Sequence, residues 1–117
     1  MTLAARPRRQ KDIARHLRAL APMMPMADFN AVASGVITGH LRHLPPSIAA
    51  WQALTSHLRH AHTDYDALLE EGYDRESARH FVVDAMNDQL ARWGSSRRVA
   101  VDGDGGQLDD GEDESSD

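Results

Sequence analysis

The densest chemistry in this chain lies in residues 59–81, RHAHTDYDALLEEGYDRESARHF, where histidines, a Tyr-Asp pair and several arginines share one short polar stretch. Imidazoles three or four residues apart on a helix can share a divalent ion. His57, His60 and His62 are close in sequence, and His40 and His43 form a His-x-x-His pair upstream. If the helices carrying the two groups run antiparallel, His43 sits near the connecting loop, far from His60. No His-Glu-x-x-His arrangement occurs, and the carboxylates nearest in sequence are Asp64 and Asp66. We therefore expect no metal and no other cofactor, with the histidines serving as capping and surface groups and His40 partly packed.

Acid–base catalysis would draw on Tyr65, Asp66 and His60, with an arginine to hold a carboxylate or phosphate. The chain has no Walker sequence, nucleophile elbow or paired-carboxylate signature. It has no cysteine, and 117 residues form one modest core with little room for a deep pocket. No catalytic residue is assigned. A small hydrolase or metal enzyme centred on His60 and Asp66 is the least favoured of three functions.

The arginines point elsewhere. Twelve of the thirteen bases are arginine, Lys11 being the sole lysine. Arg75 and Arg79, four apart, repel unless acids meet them; Glu70, Glu71 and Asp74 are placed to satisfy Arg75, and Asp66 to satisfy Arg79. Arg8, Lys11, Arg15 and Arg18 instead share one helix face with only Asp12 nearby. Such a stripe suits an external anion, above all a phosphate backbone. Arg9 belongs to the same cluster, and Arg97 and Arg98 extend the patch.

Those residues must be positioned by helices, because apolar residues recur every three or four positions and never alternate with period two. A first helix over about Arg8–Leu20 turns Ile13, Leu17 and Leu20 inward and ends before Pro22. Pro25 and Asp28 open a second, with Asp28 at the positive end of its dipole. Its stripe of Phe29, Val32, Ala33, Val36, Ile37, Leu41 and Leu44 runs to Pro45-Pro46. Ser47 caps a third helix, which turns Ile48, Trp51, Leu54, Leu58 and Ala61 inward. Thr63 caps a short fourth, with Asp66 returning the bond as in a capping box. Gly72 ends it. Asp74 caps the last helix, whose stripe is Ala78, Phe81, Val82, Ala85, Met86 and Leu90, continued by Trp93 and ended by Gly94.

Residues 41–94 contain LRHLPPS, Trp51, HLRHAHTDYDALLEEGYDRESARHFV and LARWG. This resembles the bacterial and fungal family known as domain of unknown function twenty-two ninety-three. The matching positions are Arg59, His60, Thr63, Tyr65, Asp66, Leu68, Leu69, Gly72, Arg75, Ala78, Arg79 and Trp93. The resemblance implies a family and brings no activity with it.

The net charge of −5 conceals a division. Residues 102–117, DGDGGQLDDGEDESSD, hold eight of the eighteen acids and no base, leaving residues 1–101 with thirteen bases against ten acids, about +3. The like charges and glycines of this tail bury too little apolar surface to offset ordering entropy, so disorder is expected there. No apolar run approaches the roughly 20 residues of a membrane span, and the N-terminus lacks the apolar centre of a secretion signal. A cytoplasmic location is the default. We expect an all-α protein, a compact bundle of four to five helices over residues 1–101, with an acidic tail over 102–117. Its expected role is non-catalytic binding of nucleic-acid phosphates. The alternative is a protein–protein adaptor or homodimer that uses the same helix or surfaces around Trp51 and Trp93.

Overall fold

Proline and glycine punctuate the chain, and the helices fall between them. The computed structural model describes residues 7–36 and 39–100. Five α-helices follow one another: α1 (Pro7–Leu20), α2 (Met26–Gly35), α3 (Pro46–His62), α4 (Tyr65–Glu70) and α5 (Arg75–Arg92). A 3-10 turn (Gly39–His43) links α2 to α3, and no strand occurs among the described residues. The acidic segment 102–117, Ile37 and the side chain of His40 lie outside the described residues.

α1 starts with Pro7 at its first position, where a missing N–H costs nothing. It buries Ile13 and Leu17 and stops before Pro22, as its sequence requires. α2 is shorter than its apolar stripe suggests. It ends at Gly35, where poor helix propensity meets the β-branched pair that follows. Leu41 reaches the core from the separate 3-10 turn instead. α3 begins one residue before Ser47: Pro45 is the cap position, Pro46 opens the first turn, and the amides of Ile48 and Ala49 bond the Pro45 carbonyl. Ser47 is therefore inside the helix rather than capping it.

α3 is the central element and packs against each of the other four helices. Its buried apolar residues are Ala49, Ala50, Ala53, Leu54 and Leu58, together with the polar Gln52, Thr55 and Arg59. The three alanines let neighbouring backbones approach closely, while Leu54 and Leu58, fully enclosed, each contribute about 1.5–3 kcal/mol of burial. Ile48 and Ala61, expected to face inward, are exposed. On α5 the buried row is Ala78, Val82, Val83, Met86 and Leu90, followed by Trp93. That row is narrow, so Phe81 and Ala85 fall outside it; Phe81 packs edge-on against Tyr73 at the surface.

Two glycines close helices in left-handed geometry. Gly72 (φ 106°) follows α4, with the Tyr73 amide reaching back to the Leu68 carbonyl at 3.1 Å. Gly94 (φ 83°) follows α5, with the Ser95 amide on the Leu90 carbonyl at 2.9 Å. Gly94 has a second reason: a Cβ there would lie 3.1 Å from Pro22 Cγ and 3.2 Å from Met23 Sδ. The α1–α2 connection thus docks on the end of α5, sealed by the Met23 amide donating to the Trp93 carbonyl at 2.8 Å.

Candidate functional site

The segment richest in polar residues builds the corner between α3 and α4. Thr63 follows α3 in extended backbone, and its hydroxyl donates to the Arg59 carbonyl while accepting from the Tyr65 amide at 3.2 Å. The N-cap position of α4 is Asp64, which makes no side-chain cap bond. Thr63 therefore stitches two helices from one position earlier than a capping box requires. Asp66 returns no bond to it, because its carboxylate is on His60 Nδ1 at 2.8 Å. Arg59 and Tyr65 are buried, the guanidinium 5.6 Å from the ring centre, and the His60 ring meets the same ring edge-on. Arg75 and Arg79 are half-buried and engaged within the fold. Asp74 caps α5 as expected, accepting from the Ser77 amide at 2.7 Å. That bond, together with one from the Ser77 side chain, holds the Asp74 carboxyl below its usual value.

A second cluster escaped the sequence. Asp28 lies in the first turn of α2, beside the last turns of α3. Its Oδ1 is 2.7 Å from His57 Nε2 and 2.7 Å from His62 Nε2. A carboxylate oxygen only accepts, so each Nε2 carries the hydrogen. Burial pushes the Asp28 carboxyl up, but the hydrogen bonds and charge of His57 and His62 outweigh it and leave the carboxyl lowered. Helix ends favour this arrangement: an acid complements the start of α2 and imidazoles the end of α3. The two rings meet edge-on with centroids 5.5 Å apart, and Trp93 meets His62 edge-on at 5.2 Å. The three donor atoms lie within 4.8 Å of one another, the set that could hold a metal ion among the described residues. The carboxylate comes from Asp28 rather than from Asp64 or Asp66, and His60 stands apart on Asp66.

The cationic residues divide. Arg8, Lys11, Arg15 and Arg18 are all exposed on the outer side of α1. Arg15 pairs with Asp12 one turn away, and the Arg18 guanidinium stacks 4.7 Å from the Phe29 ring centre. Arg9 turns inward, donating from Nη1 to the Leu44 carbonyl at 2.7 Å and from Nη2 to the Leu41 carbonyl at 3.0 Å. Arg97 covers the Trp51 ring at 4.0 Å, and Arg98 donates to the Ser95 and Arg97 carbonyls. Trp93, expected to offer a partner surface, is 5% exposed beneath His62. No described helix is long and apolar enough to cross a membrane.

A family model described as "Uncharacterized conserved protein (DUF2293)" matches residues 16–94. The match includes Asp28, His57, His62 and the whole α3–α4 corner, and it begins after Arg8, Lys11 and Arg15. No curated protein and no solved structure matches the chain.

Proposed function

This chain belongs to that family of uncharacterised conserved proteins, a membership that carries no activity, and we propose from its geometry a non-catalytic binding domain for nucleic-acid phosphates. What supports the reading is one observation: four cations, Arg8, Lys11, Arg15 and Arg18, stand exposed along one side of α1. At 1.5 Å per residue they span about 15 Å, a length over which a duplex presents several phosphates. Arg97 and Arg98 are proposed to extend the patch. Arg9 is proposed to act indirectly, by fixing α1 to the 3-10 turn. No described helix carries a recognised base-reading motif, so backbone contacts are proposed and no sequence specificity is claimed.

Contacts to about four phosphates give a log-affinity against log-salt slope of about −3 to −4. Replacing Arg8, Lys11, Arg15 and Arg18 together by Gln should abolish binding and keep the fold, since none of the four side chains is in the core. Deleting residues 102–117, with their eight acids, should tighten binding at low salt by removing a tethered competitor. Fluorescence anisotropy with single- and double-stranded DNA and RNA across a salt series measures both effects. If the intact chain and the tail deletion both fail to bind at about 50 mM salt, where electrostatic binding is favoured, the phosphate reading falls and the protein-adaptor reading replaces it.

A further inference from the structure

We infer that Asp28, His57 and His62 form a binding site for a divalent transition-metal ion of the zinc class. The inference is independent of nucleic-acid binding, because none of the three residues belongs to the α1 face. Its basis is convergence. Two imidazole Nε2 atoms and a carboxylate oxygen, drawn from two helices, come within 4.8 Å of one another. The side chains are 17%, 18% and 29% exposed for His57, Asp28 and His62, so the site is walled yet open on one side.

The donor set selects the ion. Calcium and magnesium call for oxygen ligands throughout, whereas two imidazoles with one carboxylate suit zinc and its first-row neighbours. Three protein ligands leave at least one coordination position for water or an added ligand, as zinc sites with an open position do. The fit needs a small adjustment. Tetrahedral bonds of about 2.0–2.1 Å set donor atoms roughly 3.3 Å apart, against the 2.7 Å of the two present contacts. These two contacts must part by well under 1 Å, and the two imidazole nitrogens, within 4.8 Å of each other, must settle at the same spacing. Trp93 backs the His62 ring and limits where it can turn.

Protons also balance. In the metal-free protein both Nε2 atoms donate to Asp28. On binding, each Nε2 must offer its lone pair, so a neutral ring moves its hydrogen to Nδ1 and an imidazolium releases one proton. Both rings then lose their Nε2–H, a change that nitrogen chemical shifts report for each histidine separately.

The test uses the full chain, stripped with chelator and titrated with zinc chloride at about pH 7.5 in a calorimeter. We expect one equivalent to bind and the melting temperature to rise by several degrees. D28N, H57Q and H62Q should each weaken binding by tenfold or more. H60Q, which breaks the other histidine–carboxylate pair, should leave it unchanged. Should a variant fail to fold, X-ray absorption on the zinc-loaded intact protein decides: two imidazole nitrogens with oxygen ligands support the site. No binding, binding that survives in folded D28N/H57Q/H62Q, equal loss in H60Q, or a zinc shell with fewer or more than two imidazoles would each overturn it.

Discussion

Replacing Arg9 by Gln separates an arginine that serves the fold from those proposed to meet phosphate. Its guanidinium bonds the carbonyls of Leu44 at 2.7 Å and Leu41 at 3.0 Å. The Leu44 carbonyl directly precedes Pro45-Pro46, whose nitrogens have no hydrogen to offer, while the Leu41 carbonyl also accepts from the Leu44 amide at 3.1 Å. The downstream amides of Ile48 and Ala49 are taken by Pro45. Arg9 thus supplies the Leu44 carbonyl with a donor and the Leu41 carbonyl with a second one, and it clips the start of α1 to the approach to α3. Hydrogen bonds from a charged group contribute roughly 1.5–3 kcal/mol each. Arg9 is only half-buried, and water can partly replace it, so about 2–3 kcal/mol for the pair is the reasonable total. At 4–8 °C per kcal/mol for a domain of this size, the melting temperature should fall by roughly 10–20 °C. R8Q and K11Q, on the exposed side, should stay within about 0.5 kcal/mol of the parent. R9K should rescue little, because one ammonium nitrogen on a flexible stem replaces two guanidinium nitrogens that each meet one carbonyl. Thermal melts followed by circular dichroism provide the measurement. If R9Q melts with R8Q, or R9K with the parent, the clip is not what holds α1 in place.

Thr63→Ala removes both bonds of the α3–α4 stitch and should cost about 1–2 kcal/mol, while Thr63→Ser should recover most of it; equal denaturant midpoints for the two variants would refute the stitch. Asp74 supplies one pH dependence. Its folded carboxyl is held low by Ser77, so its stabilising effect is complete above the ordinary aspartate range near pH 4 and disappears as pH falls through the lowered value. The stability gap between the parent and D74N should be constant from about pH 7 to 5 and narrow below about pH 4; a gap that stays constant down to pH 2.5 would remove Asp74 as the cause.

Local chemistry made most of the fold legible. Pro22 follows the end of α1, Pro45-Pro46 opens α3, and Gly72 and Gly94 close α4 and α5, each acting within a few residues of itself. Asp74 needed only the amide three residues on. The departures occur where neighbours decide. The apolar run through Val36 and Leu41 resembles one long helix stripe, yet α2 ends at Gly35, a residue of poor helix propensity, and Leu41 is buried from the 3-10 turn. Phe81 satisfies the spacing of a core position, but the row of α5 that is buried is the narrower one through Ala78, Val82 and Met86. Arg9 was grouped with the other bases by charge. Its angular position beside Ile13 on α1 was the available sign that it would turn inward.

The three-donor cluster was hidden for a different reason. Helical ligand pairs are sought three or four residues apart, where side chains share a face. His57 and His62 are five apart, about 140° around an ideal helix, and meet only because His62 is the last residue of α3 and leans on Trp93. Asp28 lies 29 residues before His57 and already had a sufficient role at the start of α2. What joins the three is which helix ends abut, and distant residues set that. The small Gly94 admits Pro22 and Met23, the Met23 amide locks onto the Trp93 carbonyl, and Trp93 then forms the wall behind His62. A site built this way leaves no local spacing to find. Its signature is a set of tertiary contacts, each with an ordinary structural explanation, whose polar ends happen to converge on one point.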